Sequence, residues 1–214
     1  MAGISKAEQS QRTQRVLLDT ARDIFTRKGY AEASTEEIVS RSKMTRGALY
    51  YHYYNKAGIF TAVFDEVRAD LVRFIRRKMR TAQDDGADLW QQTIVGCHAF
   101  IERALTPSVQ RIIHTDAPSV LDWNAMHQSG PGLVLLKESL GRLMDEGIIE
   151  KMPLDPLAHM LWGMFFEAGV YIAHADDIAA SREETTDLLI RLVAGLRVRA
   201  PETDTQVGSD TTRS

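Results

Sequence analysis

From Ser34 to Lys56 the chain reads Ser-Thr-Glu-Glu-Ile-Val-Ser-Arg-Ser-Lys-Met-Thr-Arg-Gly-Ala-Leu-Tyr-Tyr-His-Tyr-Tyr-Asn-Lys, a segment crowded with phosphate-seeking and base-stacking side chains. Arg46 can pair bidentately with guanine, and Tyr50, Tyr51 and His52 can reach phosphates or a thymine methyl. Lys56, at the next helix start, can add a phosphate contact. Gly47 lowers helix stability by up to about 1 kcal/mol relative to Ala, yet it removes the side chain that would hold the backbone away from a major groove.

Two consecutive helix starts position these groups. Ser34 caps the first helix, with Glu37 placed to complete a capping box and Glu36 and Glu37 suited to the positive end of the helix dipole. That helix runs through Ile38 and Val39 to about Arg41. Thr45 caps the second, which continues through Tyr53. Leu49 and Tyr53, four apart, face a small core with Ile38 and Phe25, so Arg46, Gly47, Tyr50, Tyr51 and His52 turn outward. An aromatic core patch made of Tyr50, Tyr51, Tyr53 and Tyr54 would require burying more than one face of an amphipathic helix. The segment therefore reads as a helix-turn-helix at 34–53.

Residues 12–64 resemble the DNA-binding domain of the TetR family of bacterial transcriptional regulators. The resemblance is carried by Phe25 and Lys28-Gly29-Tyr30 at the end of the first helix, Ser34-Thr35-x-x-Ile38, Thr45 to Tyr53, and Asn55-Lys56. It implies base or phosphate contacts from Thr35, Thr45, Arg46, Gly47, Tyr50, Tyr51, His52 and Lys56. Three positions depart from the family pattern. Lys43 stands at a turn where Gly is usual and a positive φ is expected, at a cost on the order of 1 kcal/mol. Ala57 replaces an acidic residue. Glu36 occupies a position where relatives can contact bases, and a carboxylate accepts only from cytosine or turns away from phosphates.

Charge supports the same division. Residues 1–80 hold 16 Lys and Arg against 9 Asp and Glu, whereas residues 81–214 hold 10 against 20. The basic half is the half with the helix-turn-helix, so the overall pI near 6.1 does not argue against nucleic acid. The cluster Arg73, Arg76, Arg77, Lys78 and Arg80 lies far past the recognition helix and reads as a solvated face. The one cysteine, Cys97, excludes an intrachain disulfide. With no apolar signal-peptide run near Met1, a cytoplasmic location is expected.

The rest of the chain reads as helices, which makes the fold all-α: an N-terminal three-helix helix-turn-helix domain joined by a long helix to a helical effector-binding and dimerisation domain. The expected organisation is 1–56 for DNA binding, 57–200 for effector binding and dimerisation, and a disordered Thr-, Ser- and Asp-rich tail at 201–214. From Ala57 to about Arg80, Phe60, Phe64, Val67, Leu71 and Ile75 form one stripe on a lever helix. Asp84-Asp85-Gly86 ends it. Further helices are expected at 88–105, from Thr106-Pro107 to a break at Ala117-Pro118, at 133–146 before Gly147, from Asp155-Pro156 to His174, and from a Ser181-x-x-Glu184 capping box to about Val198.

Residues 157–175 approach membrane-span length, but His159, Glu167 and His174 interrupt them at a cost of a few kcal/mol each in a bilayer. A dimer interface supplies the burial instead. The last two helices resemble those by which TetR-family subunits pair as a four-helix bundle, and Leu161, Met164, Ala168, Leu189, Leu192 and Leu196 are the expected interface residues. Residues 112–123 resemble a stretch of the effector domain in one large branch of the family. Trp90, Phe100, Trp123, Met126, Trp162, Met164, Phe165, Phe166 and Tyr171 supply material for an apolar cavity with sparse polar anchors. The effector-pocket candidates are His98, His114, Asp116, Trp123, His127, Phe166 and Glu167.

Three function classes follow: a dimeric repressor of a palindromic double-stranded DNA operator, released by a small, mainly apolar effector; a DNA-binding regulator without an effector; and an enzyme using Ser119, His114 and Asp116. No Gly-x-Ser-x-Gly elbow or Gly-rich phosphate loop is present and those three residues share one short segment, so no catalytic site and no cofactor is expected. A metal site at Cys97, His98, His114 and Asp116 is disfavoured because adjacent helical residues point apart.

Overall fold

The structure, a computed structural model, describes residues 5–122 and 130–198. Its elements are α1 (Lys6–Glu32), α2 (Thr35–Ser42), α3 (Arg46–Tyr53), α4 (Lys56–Asp84), α5 (Leu89–Ala104), a π-helix (Val109–Asp116), α6 (Ala117–Val120), α7 (Pro131–Asp145), α8 (Leu154–Ala173) and α9 (Ile178–Ala194). The fold is all-α, a helix-turn-helix domain followed by a helical C-terminal domain. Among the described residues the one β-type pairing is an isolated bridge between Ile149 and Arg197. Trp123, Met126, His127 and the tail at 201–214 lie outside the described residues.

Local chemistry explains the helix starts. Ser5 and Glu8 form a capping box on α1, and Asp88 and Gln91 form one on α5. Ser34 accepts from the Glu37 amide at 3.1 Å, but the Glu37 carboxylate turns to Lys28 Nζ at 2.9 Å, so the expected box at α2 is only half formed. Two boundary expectations are corrected. Pro118 does not break the chain: it occupies the first turn of α6, where its missing N–H costs nothing, and the helix runs on from the π-helix. The last helix starts at Ile178 rather than at Ser181, because Asp177 caps the Ala180 amide at 3.0 Å.

One apolar core runs through both halves. Leu17, Ile24 and Phe25 of α1, Ile38 of α2, Leu49 of α3 and Ile59, Phe60 and Val63 of α4 close the small domain. The α4 stripe continues it with Phe64, Val67, Leu71 and Ile75, all buried against the C-terminal helices. A second cluster beneath it gathers Leu133, Leu140 and Leu143 of α7, Ile149 and Ala158. On the outside of α4, Arg73 pairs with Asp70, Arg76 with Glu138 at 2.6 Å, and Lys78 with Glu102 at 3.3 Å. Three of the five basic side chains of this run are thus paired within the chain.

Candidate nucleic-acid interface and ligand cavity

The turn between α2 and α3 is tight because Lys43 adopts the left-handed conformation, φ 57 and ψ 27, as its place in the sequence pattern implied. Thr45 then caps α3 by accepting from the Ala48 amide at 3.1 Å. Leu49 and Tyr53 face inward, and the Tyr53 hydroxyl donates to the Gln14 carbonyl at 3.0 Å, which fixes the roll of α3 against α1. After α3 the chain reverses at Tyr54 (φ 63) into the Asn55 cap of α4. Gly58 permits this approach: a Cβ there would fall 2.0 Å from the Tyr53 carbonyl oxygen.

The outward face is what these constraints leave over. Tyr51 is 81% exposed and Tyr50 stands at the edge of solvent, beside Arg46, whose guanidinium lies over the Tyr50 ring at 5.4 Å. Hydrogen bonds from Thr35, then from Arg46, hold the Tyr50 phenol below its ordinary pKa. Arg46 also sits 3.9 Å from Glu36, so Thr35, Glu36, Arg46 and Tyr50 form one exposed cluster spanning α2 and α3. Gly47 differs from Gly58. A Cβ at 47 would meet only Thr45 Oγ1, at 4.0 Å, so nothing inside the chain requires glycine there. Lys56 is half-buried: its ammonium lies 4.3 Å from the Tyr30 ring centroid and donates to the Ala31 carbonyl at 3.3 Å, at the C-terminal end of α1.

That end of α1 is also where the two halves meet directly. Asp116 Oδ2 accepts from the Tyr30 amide at 2.8 Å and from Arg111 Nε at 3.3 Å, while Arg111 Nη2 donates to the Lys28 carbonyl at 3.0 Å. Between them Gly29 takes φ 81 and ψ 173, kinking α1 so that these groups align. A Cβ on Gly29 would fall 1.7 Å from the Arg111 guanidinium. Asp116 is therefore corrected from pocket anchor to interdomain latch, since its carboxylate is committed to the neck between the halves.

A cavity with two lobes lies among α4, α5, the π-helix, α7 and α8. The lobes are small and open to solvent, and share Leu71, Val72, Phe100, Gly132 and Trp162 in their walls. Aromatic rings dominate: Phe100 meets Phe165 at 5.2 Å and Trp162 at 6.3 Å. In the smaller lobe His114 tilts against Phe166 at 4.8 Å, is 7% exposed, and has no hydrogen-bond partner at either ring nitrogen. Burial, with His174 as a lesser cause, holds its pKa down to about 4. Of the expected pocket residues, His114 and Phe166 line the cavity. His98 is exposed on α5 beside a surface groove with Glu102 and Arg182, and Glu167 is exposed on α8; both are corrected, because the buried faces of their helices belong to Phe100 and Phe165. Arg68, in the wall of the smaller lobe, escaped sequence reasoning because a lone Arg on the lever helix resembles its solvated neighbours.

The comparisons with known proteins decide what this arrangement is. Residues 90–196 match the family model described as Tetracyclin repressor-like, C-terminal domain, and residues 17–63 match that of the bacterial regulatory proteins of the tetR family. The chain belongs to the TetR family of transcriptional regulators. TetR-family proteins are DNA-binding regulators rather than enzymes. The chain is similar to the Transposon Tn10 TetC protein of Escherichia coli, 21% identical over 174 residues, 80% of this chain and 86% of that protein. A shorter match, 38% identical over 63 residues, 29% of this chain and 23% of the other, is to the A-factor receptor protein of Streptomyces griseus. Among solved structures, a TetR-family regulator from Pectobacterium atrosepticum superposes with a TM-score of 0.75 at 28% identity, covering 91% of this chain and 98% of that one.

In this TetR-family chain the last two helices leave an apolar stripe uncovered. Met160 is 74% exposed and Tyr171 61% on α8, with Ile178, Leu188 and Leu192 exposed on α9. Met160 and Tyr171, eleven apart on α8, and Ile178, Leu188 and Leu192, ten and four apart on α9, each share one side of their helix, a pattern that could have been read from the sequence. Of the expected interface residues, Leu192 lies on this stripe, and Leu161, Met164 and Leu196 are half-buried. Ala168 and Leu189 are corrected: they are buried in the chain's own core, one turn away from the outward face. No helix of the described residues is long and apolar enough to cross a membrane.

Proposed function

We propose that this TetR-family chain is a homodimeric repressor that binds a palindromic DNA operator and is released from it by a small, mainly apolar effector. The observation that carries the reading is the outward face of α3: Arg46, Tyr50 and Tyr51 stand free of the core around a glycine that no internal contact requires. Base edges would be read by Arg46 and phosphates by Tyr50, Tyr51 and His52, with the backbone at Gly47 drawn close to the groove. The third N–H of Lys56 stays available for a phosphate. The uncovered stripe on α8 and α9 fits a four-helix bundle between two copies, which would set the recognition helices about 34–36 Å apart, one turn of DNA.

Release follows from how the small domain is attached. Leu71 and Val72 of α4 and His114 of the π-helix wall the same cavity, and each element has its own hold on the small domain, α4 through the shared core and the π-helix through Asp116 and Arg111. A ligand that parts these walls turns α4 against the latch and moves α3 relative to the grooves. It shifts the equilibrium only as far as it prefers the DNA-free conformation, with a typical coupling of about 1–3 kcal/mol. The A-factor receptor's name, that of a receptor, supports a ligand-responsive reading.

Selection from a random duplex pool tests the DNA half of the proposal. The expected result is a palindrome whose affinity falls with salt at a slope set by several phosphate contacts. Arg46→Ala should relax base preference, whereas Lys56→Ala should weaken all sequences alike. Non-palindromic enrichment, or equal loss of preference in both variants, would overturn it.

A further inference from the structure

Glu36 puts a negative charge on a face otherwise prepared for an anion. It is the second residue of α2 and Arg46 the first of α3, and the helix-turn-helix sets them side by side, Glu36 Oε1 at 3.9 Å from Arg46 Nη2. Both side chains stay largely in solvent, 67% and 70% exposed. The fold makes little of this charge. Glu37 supplies a second acid to the same first turn of α2 and closes on Lys28 at 2.9 Å, and Arg41 closes on Asp23 at 2.7 Å. The contact between Glu36 and Arg46 is looser than either, and exposed pairs of that kind contribute little to stability. It does restrict where the guanidinium goes. Thr35 Oγ1 donates to Glu36 Oε2 at 3.3 Å, and the Tyr50 ring lies 5.4 Å from the Arg46 guanidinium carbon, so Arg46 is flanked by a carboxylate and an aromatic ring that are themselves held. A hydrogen bond from its own backbone amide first, then Thr35 and the charge of Arg46, keep the Glu36 carboxyl below its ordinary pKa and so ionised.

On DNA, an exposed arginine meets two kinds of acceptor. Phosphates carry a full charge but no sequence information, whereas guanine O6 and N7 are neutral and specify a base. A carboxylate beside the arginine separates the two. It repels a phosphate from its own surroundings, while a neutral base edge meets no such repulsion. The guanidinium has more N–H groups than Glu36 can occupy, so a bidentate edge remains for guanine.

We infer that Glu36 is a positioning residue for base reading: standing beside Arg46, it turns the guanidinium from phosphate toward guanine, so that the protein loses affinity for DNA in general and gains preference for its operator. The inference rests on the DNA-reading face proposed above. Glu36 acts through Arg46 and contacts no base itself.

Affinities of the full chain for the selected palindrome, for the same duplex changed at the base pair where Arg46→Ala loses preference, and for a scrambled duplex test this across a salt series. Glu36→Gln should bind the scrambled duplex about two- to tenfold more tightly, lose at least about threefold of the preference at that pair, and steepen the log–log salt dependence by about 0.9 as Arg46 takes a phosphate. In an Arg46→Ala background Glu36→Gln should leave the salt dependence unchanged. Glu36→Ala, a second neutral variant, should behave as Glu36→Gln, whereas Glu37→Gln, which removes the same charge from a carboxylate that faces Lys28, should keep the preference. Affinity raised equally on every duplex would make Glu36 a plain repeller of phosphate and overturn the inference. Preference lost at a pair that does not depend on Arg46 would mean that Glu36 reads a base itself, and would overturn it too. A palindrome enriched alike by wild type and Glu36→Gln removes this inference alone; no palindrome enriched by the wild type would remove the DNA-reading face with it.

Discussion

His114 sets a pH dependence that follows from its burial. Desolvation first and His174 second hold its pKa near 4, against 6.5 for a free imidazole. Its folded-state pKa is depressed, so the stability it contributes is fully present above about pH 6.5, where the unfolded chain is also neutral, and is lost as the pH falls toward 4, where the unfolded chain takes up the proton and the folded one does not. At about 1.4 kcal/mol per pKa unit, the whole window is worth roughly 3 kcal/mol, of which roughly 2 kcal/mol is lost between pH 7 and pH 5. The isolating perturbation is His114→Leu, which removes the titration and fills similar space beside Phe166. At pH 7 this variant should be as stable as the wild type or up to about 2 kcal/mol more so, because two unsatisfied nitrogens are gone. Urea unfolding at pH 7, 6 and 5, with protomer concentration held fixed because dimer stability depends on it, gives the comparison. The wild type should lose roughly 2 kcal/mol more than His114→Leu between pH 7 and pH 5. Parallel losses in the two proteins would refute the claim that this imidazole is desolvated and unpartnered.

Three further outcomes are expected. Gly29→Ala should cost about 1 kcal/mol for its positive φ plus a further penalty for displacing Arg111, and the further part should vanish in an Arg111→Ala background; equal costs in both backgrounds, read by chemical denaturation, would remove the latch. Lys43→Gly should stabilise by a few tenths to about 1 kcal/mol, the relief of a left-handed lysine less the added freedom of the unfolded chain, and a loss of melting temperature would contradict it. Leu192→Glu combined with Tyr171→Glu should shift the chain to monomer in sedimentation at micromolar concentration while leaving helicity intact, and an unchanged dimer would place the interface elsewhere.

What the sequence made legible was local. Ser34 and Thr45 cap the helices they were expected to cap, Lys43 turns left-handed where a glycine is usual, and the stripe from Phe60 to Ile75 is buried along one face of α4. Each depends on residues a few positions apart, and spacing along the chain carries that information. What stayed hidden depends on long-range pairing. Asp116 looked like a pocket anchor, but its partner is the Tyr30 amide 86 residues away, and no periodicity reports such a contact. Glu167 and His98 were misplaced because a polar residue in an apolar helix can mark a pocket or a solvent face, and only the packing of Phe165 and Phe100 decides which. Competing start signals explain α9: Asp177 and Ser181 both suit a cap, and the earlier one buries Leu189 and Val193.

If the α3 face is built for DNA rather than for the fold, Gly47 separates the two. Nothing lies within 4 Å of a Cβ at position 47 except Thr45 Oγ1 at its edge, so Gly47→Ala removes no internal contact and gains up to about 1 kcal/mol of helix propensity. Melting temperature and affinity for the selected palindrome, measured side by side at one salt concentration, should move in opposite directions: stability unchanged or raised, DNA affinity reduced about tenfold or more. Gly47→Ala protein that binds the palindrome as tightly as the wild type would contradict the account.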